Sequence, residues 1–501
     1  VFDEPHSRHE PGWTLAVAIL AAGYFWLGIG SSVEWIESGQ IVYPSWQVAR
    51  GALPYRDFLQ LYGPSEFFLH GALLAVFGAN VWTVLAVLVL VKAAVVTLAY
   101  TGARTVSGRP FALATTALLI AIWGAPVWVF DTPYANHYST ALILAGIIAA
   151  AAAPRRSLLP SCAVAGICFG AAATFKQTTG IVACVGLGLA IVARSGAWTD
   201  GEPSAPGDRL DTWVRGLRLI FLAAVAIFVV SYLASASSPV NACVLAAPIG
   251  VGIGGLSIFE LRGGGGVAER RRGLIALAVL GGGAALPILA YAGYFAHRGA
   301  LRELAFNTIS GLPHRINWFT PLAAPPVDAI ASTLAIACGL ALTARLKTGA
   351  GWAAGVVLAG GAASAIAMLE IIGNGIIVVR PLLTLLLFGS VWGGLAALWI
   401  DMRGRRWNVA ADRLATFVFT AAAAVLLFYP AGDLPHVLMT WPFFVPVSAH
   451  VLWRWYRTAG AGAARGQRVA LAMVVAAILA VFYVPLTSLL LHRLTDGPAG
   501  L

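Results

Sequence analysis

The sequence predicts an all-α polytopic membrane protein, a bundle of about 13–15 helical spans with a long external loop after the first. Three observations predict it. The 501 residues are 59% hydrophobic and only 11% charged, whereas globular chains carry about 25% charge. Mean hydropathy is +0.83. Apolar stretches of about 20 residues recur along the chain, and none shows the period-two alternation of a membrane β-barrel.

The spans expected from these stretches run over 13–33, 81–103, 111–130, 138–153, 158–175, 180–194, 218–236, 239–260, 274–296, 326–345, 351–372, 381–400, 413–430, 438–456 and 468–486. Segment 66–78 is apolar but short, and reads as a half-helix or surface helix on the outer side rather than a crossing. Charge tests that reading. With the N-terminus inside and 66–78 not crossing, only Arg50, Arg56, Lys176, Arg298, Arg302, Arg315, Arg380 and Arg493 of the 32 basic residues fall outside, with Lys92 inside a span. The rest, including Arg104, Arg109, Arg194, Arg215, Arg270 and Arg454, lie inside, as the positive-inside rule requires; a crossing at 66–78 would reverse the bias. The net charge of +11 is therefore topology information, not a nucleic-acid patch.

The resulting layout is an inner tail at 1–12, a module at 13–194 with a first external loop at 34–80, an inner linker at 195–217, and a C-terminal region at 218–501 with external loops at 298–325 and 431–438. Segments 195–216 and 262–273 read as flexible connectors. The glycine run in the latter lacks the Gly-Lys-Ser/Thr and strand context of a phosphate loop. The N-terminal run is too long for a signal-peptide core and reads as a retained span. Cys162, Cys168, Cys184, Cys243 and Cys338 lie in apolar runs and read as small core residues. Trp82, Trp123, Trp128 and Trp318, near span ends, fit interfacial anchoring.

The chemistry-bearing residues gather on the outer side. Glu34 and Glu37 precede Gly39, Tyr43 and Pro44; then come Pro54, Tyr55, Arg56, Asp57 and Phe58, followed by Tyr62, Gly63 and Pro64. These motifs resemble the first external loop of polyprenyl-phosphate-dependent sugar transferases of the membrane-embedded GT-C class, of the protein mannosyltransferase and aminoarabinose transferase type (glycosyltransferase families 39 and 83). The family's acidic residue before a glycine is Glu37 here, and its second carboxylate has become Ser38. The resemblance covers chiefly residues 30–180 and a patch near 429–440.

The resemblance implies a GT-C-type helical bundle, a polyprenyl-phosphate sugar as donor, and inverting transfer to a lipid, glycan or protein acceptor at the outer face. A partly desolvated carboxylate at Glu37 suits the base that takes the acceptor's proton, with Glu34 as the fallback; the plain alternative is that Glu37 caps a helix starting near Gly39. Arg56 and Asp57 form either part of a lid or a salt bridge that braces the loop, which Tyr55 helps to shape. Asp131, ahead of Pro133, Asn136 and His137, matches by position a second acidic residue that binds the acceptor or orients the base. Lys176 stands alone between two apolar runs; a centrally placed basic residue costs about 2.5–3.5 kcal/mol to insert, so a partner is expected, either a lipid phosphate that it binds as a point charge or the lipid headgroups to which the side chain snorkels. Arg380, beside Pro381, is a weaker candidate for that task. Asp433 and His436 sit at spacing i, i+3, where Asp433 can fix the histidine tautomer and His436 can donate to a phosphate oxygen. His314 and Arg315 lie in a later external loop that covers the site or stays at the surface.

No tightly bound cofactor is expected, and the sequence leaves a divalent metal open. The expected partners are the lipid-linked donor, a glycan, lipid or protein acceptor and membrane lipids, with no nucleic acid. The expected location is a bacterial inner membrane, with the site facing the periplasm or exterior. Two other readings remain: a transporter or flippase, for which only Lys92 and Glu370 sit deep, and a degenerate scaffold subunit that has lost the family's acids.

Overall fold

The computed structural model describes residues 10–29, 35–60, 62–124, 131–153, 157–197, 209–234, 239–262, 266–310, 379–403, 407–428 and 438–458. Among them every extended regular element is a helix, and the only β feature is an isolated bridge between Pro54 and Phe58. The helices are α1 (Glu10–Gly28), α2 (Trp35–Ala49), α3 (Pro64–Phe77), α4 (Val81–Val106), α5 (Arg109–Trp123), α6 (Ala135–Ala152), α7 (Leu158–Phe175), α8 (Gln177–Ala197), α9 (Arg209–Leu233), α10 (Pro239–Leu261), α11 (Val267–His297), α12 (Leu301–Ala305), α13 (Val379–Arg403), α14 (Val409–Ala424) and α15 (Val445–Thr458). A π-turn over Phe306–Ser310 follows α12, and 3-10 turns cover Val425–Phe428 and Trp441–Phe443. Eight of the described helices are long and apolar enough to cross a membrane.

Capping sets several boundaries. The Asn80 side chain accepts from the Trp82 N–H at 2.9 Å to open α4, and Asn408 accepts from Ala410 and Ala411 at 3.0 Å each to open α14. Pro64 and Pro110 occupy first-turn positions, where the missing N–H has no helical partner to lose. α8 and α14 are the most enclosed of the spans, while α1, α9 and α11 keep apolar faces exposed, as lipid-facing helices do.

α1 and α4 run antiparallel. Glu10, opening α1, binds Arg104 near the end of α4 at 2.7 Å, and Phe25 near the end of α1 covers Lys92 in the middle of α4. The chain therefore returns to α4 on the side where it left α1, and α3, 14 residues long, does not cross. α2 and α3 pack against one another in the loop between the two spans. At the same end of the bundle lie the start of α6, the turn between α7 and α8, and the end of α11.

α7 and α11 approach most closely because Gly166 and Gly170, one turn apart, face the backbone of α11. A Cβ on either would overlap the carbonyl oxygen of Leu280 or Ala284 respectively. Small residues spaced by four let helix backbones meet where lipid supplies no hydrophobic drive.

The opposite end carries the arginines, and these are packed rather than loose. Arg218 donates to Glu260 at 2.6 Å, to Val192 O at 2.6 Å and to Ser195 Oγ at 2.9 Å. Arg270 and Arg215 both grip Asp211, and Arg194 lies 3.8 Å from Asp412. The expectation of flexible connectors at 195–216 and 262–273, with a linker at 195–217, is corrected in part: 195–197, 209–217 and 267–273 are helical, and 198–208 and 263–265 lie outside the described residues. Residues 209–217 belong to α9 and 267–273 to α11, because Asp211 and buried Arg270 draw both helix starts into the bundle. Trp123 is also not an interfacial anchor: it is fully buried, and its indole N–H donates to Leu438 O at 3.0 Å. Trp82 is exposed, as an anchor would be. Cys162 is buried but Cys243 is exposed, so not every cysteine is a core residue.

Candidate functional site

The loop between α2 and α3 is held by its own chemistry before it touches the bundle. Asp57 accepts from the Leu53 N–H at 2.7 Å and clasps Arg56 through two bonds, at 2.8 and 2.9 Å. The Arg56 guanidinium, followed by the Leu53 N–H, holds the Asp57 carboxyl down at about 2. Arg56 and Asp57 are both substantially exposed, so the pair braces the loop. Tyr55 adopts φ +70°, an uncommon conformation for a bulky residue. Its buried ring packs against Phe295 at 5.8 Å and its hydroxyl donates to Tyr62 O at 2.6 Å, which together over-determine the turn.

The end of this loop is pinned to the turn between α7 and α8. The Gly63 N–H donates to Phe175 O at 2.8 Å, and Ser65 Oγ lies 2.6 Å from Thr174 Oγ1. A Cβ at Gly63 would overlap the Thr174 carbonyl, so only glycine permits this approach. Lys176 follows directly, its backbone closing α7 on Ala172 O at 2.9 Å.

Pinned in this way, α3 turns Glu66 and His70, one helical turn apart, into the bundle. Both are fully buried. His70 Nε2 lies 2.6 Å from the Tyr138 hydroxyl of α6, and the Tyr138 ring stacks on Phe175 at 5.4 Å. The Glu66 carboxylate faces the Ala135 N–H at the start of α6 and the charge of Lys176, yet neither oxygen has a well-aligned hydrogen bond. Burial pushes the Glu66 carboxyl well above the usual carboxylate range, and pushes His70 down to about 3.

A second polar group lies on the other flank of the α6 start. Lys92 of α4, Asp131 and His137 are all buried, and Lys92 is electrostatically coupled to both of the others. The ammonium sits 4.4 Å from the Phe25 ring centroid, a favourable cation–π placement. Trp123 meets His137 edge-on at 5.2 Å, and neither His137 nitrogen has a hydrogen-bond partner.

The structure thus brings together Tyr55, Arg56, Asp57 and Lys176 at one end of the bundle, with Asp131 buried beside Lys92. Glu37 falls in the first turn of α2, which begins at Trp35 rather than near Gly39, and Arg380 falls in the first turn of α13; their side chains lie outside the described residues. Glu34, His314, Arg315, Asp433 and His436 also lie outside them. Sequence reasoning passed over Glu66, His70 and Tyr138, and left Lys92 as a deep charge without a partner. The signal was present: Glu66 and His70 stand at i, i+4 inside an otherwise apolar helix, where an ionisable side chain needs a reason. Among the described residues no three His, Cys, Asp or Glu side chains are grouped to hold a metal ion.

The described helices define an α-helical polytopic membrane protein. No family model and no curated protein matches the chain. A solved structure similar to it is the oligosaccharyltransferase of Archaeoglobus fulgidus in complex with Zn and sulfate, at 13% identity and a TM-score of 0.31. The match covers 87% of this chain and 53% of that one, so the chain spans about half the length of that protein. A likeness this slight carries no argument about fold or activity.

Proposed function

We propose that the protein is an inverting glycosyltransferase of the GT-C type, taking its sugar from a polyprenyl-phosphate donor at the outer face of a bacterial inner membrane. One observation carries the reading beyond the sequence resemblance. The loop after α1 folds back over the bundle and is pinned at Gly63 and Ser65 to the turn that bears Lys176, at the end opposite the arginine network. A lysine at a loop-covered end is suited to a lipid-borne phosphate.

In this reading Glu37 removes the proton from the acceptor hydroxyl as that oxygen attacks the anomeric carbon. The bond from the anomeric carbon to the phosphate oxygen breaks, its electron pair leaves with the phosphate, and configuration inverts. Lys176, His436 and Arg380 stabilise the charge that develops on the departing lipid phosphate, with Asp433 fixing the histidine tautomer. Asp131, tied electrostatically to Lys92, orients the acceptor side of the site. The acceptor is a lipid, glycan or protein.

The test is sugar transfer by purified protein from a panel of synthetic polyprenyl-phosphate sugars, with divalent cations added or chelated. Wild type is expected to transfer, and Glu37→Gln to lose about 100-fold or more in kcat while still binding donor. A folded wild type that transfers from no donor in the panel would overturn the proposal.

A further inference from the structure

The arginine-rich end carries cations that its ion-pair network does not use. Arg270 and Arg215 share Asp211, and Arg218 takes Glu260 at 2.6 Å, so the starts of α9 and α11 and the end of α10 are clamped at one level. Arg209 stands two residues before Asp211, Arg262 two residues after Glu260, and Arg271 directly after Arg270. All three are exposed, and none has an ion-pair partner among the described residues. The acids nearest to them are already engaged: Asp211 and Glu260 are buried in their pairs, and Glu269 lies 3.6 Å from Arg272. Elsewhere at this end the arginines do find carboxylates, Glu10 for Arg104 and Arg109 and Asp401 for Arg454.

Each of these cations borders apolar surface. Arg209, Trp213, Leu217 and Ile220 fall at i, i+4, i+8 and i+11 along one face of α9, and Trp213 is 72% exposed. Arg262 follows exposed Leu261, and Arg271 shares a face of α11 with exposed Ile275, four residues on. The stripe from Arg209 to Ile220 runs about 16 Å, roughly one leaflet of a hydrocarbon core about 30 Å thick. A soluble anion has use only for the charges. A phosphate borne on acyl chains uses the charges and the stripe together.

We propose that the ends of α9, α10 and α11 form a binding site for an anionic glycerophospholipid of the inner leaflet, its phosphate held by Arg209, Arg262 and Arg271 and one acyl chain laid along Trp213, Leu217 and Ile220. The inference is independent of the transferase reading and needs only the orientation that the positive charges set. Guanidinium forks match a phosphate's oxygens, and the clamped helix ends hold the three arginines at one level before the lipid arrives. Seven arginines stand against three acids within 209–218 and 260–272. Segment 198–208, outside the described residues, adds Asp200, Glu202 and Asp208. If those acids neutralised the patch, anionic and zwitterionic lipids would bind alike, and that outcome is the one to look for.

The experiment is native mass spectrometry of the full chain in detergent, titrated with phosphatidylglycerol or with phosphatidylcholine of identical acyl chains. Wild type is expected to bind phosphatidylglycerol at least about ten-fold more tightly, since each basic residue at a membrane surface contributes about five-fold. The triple variant Arg209→Gln, Arg262→Gln, Arg271→Gln should lose that preference. The triple variant Arg50→Gln, Arg298→Gln, Arg302→Gln removes the same charge at the opposite end and should keep it. Glycerol phosphate, the headgroup without its chains, should compete more than about 100-fold more weakly than the lipid. Equal binding of the two lipids by wild type, or equal loss of preference in the two triple variants, would overturn the proposal. Competition by glycerol phosphate as strong as by the lipid would overturn it too, because the site would then be one for a soluble anion. Should the first triple variant not fold, a photoactivatable phosphatidylglycerol decides on wild type: cross-links must map to 209–220 and 261–275, and labelling spread evenly over the lipid-facing helices refutes the site.

Discussion

Removing Glu260 tests whether the arginine-rich end is held by ion pairing or by ordinary helix contacts. Glu260 and Arg218 are each 1% exposed and meet at 2.6 Å, with further bonds from Arg218 to Val192 O and to Ser195 Oγ. If the link between α9 and α10 were only an interhelical hydrogen bond, Glu260→Ala would cost about 0.6 kcal/mol, the average for such bonds in membranes. The guanidinium that remains is fully buried, and Arg270, also buried, already engages Asp211. Breaking a buried pair from one side costs about 3–5 kcal/mol, since the surviving charge has no compensation. The second figure governs here because the two carbonyl and hydroxyl acceptors left to Arg218 carry no formal charge. Reversible unfolding in mixed micelles is therefore expected to show a loss of about 3 kcal/mol or more for Glu260→Ala. The double variant Arg218→Met with Glu260→Leu should recover most of it, because no unpaired ion then remains. A loss below about 1 kcal/mol for Glu260→Ala, or no recovery in the double variant, would refute the argument.

Two further outcomes follow from the geometry. Gly170→Val is expected to destabilise by at least about 2 kcal/mol, because its Cβ would overlap Ala284 O, and to weaken donor binding by shifting the turn at Lys176; Gly282→Ala, where a Cβ meets nothing within 4 Å, is the matched control for thermal melting. The pH dependence of His70 has a defined sign. Its folded pKa of about 3 lies below the ordinary 6.5, so its contribution is fully present above pH 6.5 and is lost as pH falls toward 3. Between pH 6.5 and 5 wild type should lose about 1.6 kcal/mol in total that His70→Asn does not lose, read from parallel unfolding series; superimposable series would refute the assignment.

Much of the fold was legible because hydropathy is a local property. The span expected at 158–175 coincides with α7, and those expected at 81–103 and 239–260 differ from α4 and α10 by a few residues at the ends. Boundaries slipped where charge was helical. α9 and α11 begin earlier than their apolar runs because Asp211 and Arg270 pair inside the bundle, an energy that no window average contains. The site was legible only in part. Arg56 and Asp57 pair through neighbouring positions, which a sequence displays directly. His70 and Tyr138 are brought together from α3 and α6, and nothing in either local segment announces the other.

The sequence by itself determined the class of protein, the separation of a loop end from an arginine-rich end, and the failure of the segment at 66–78 to cross. Each follows from length, apolarity and the distribution of charge against a slab of fixed thickness. Only the tertiary structure decided which ionisable groups share an interior. That outcome depends on how closely helices pack, as at Gly63, Gly166 and Gly170, where the absence of a side chain lets backbones meet. The positions of His70 beside Tyr138 and of Lys92 beside Asp131 follow from this packing, because the energy of a buried charge is set by the few ångströms around it rather than by the residues next to it in the chain.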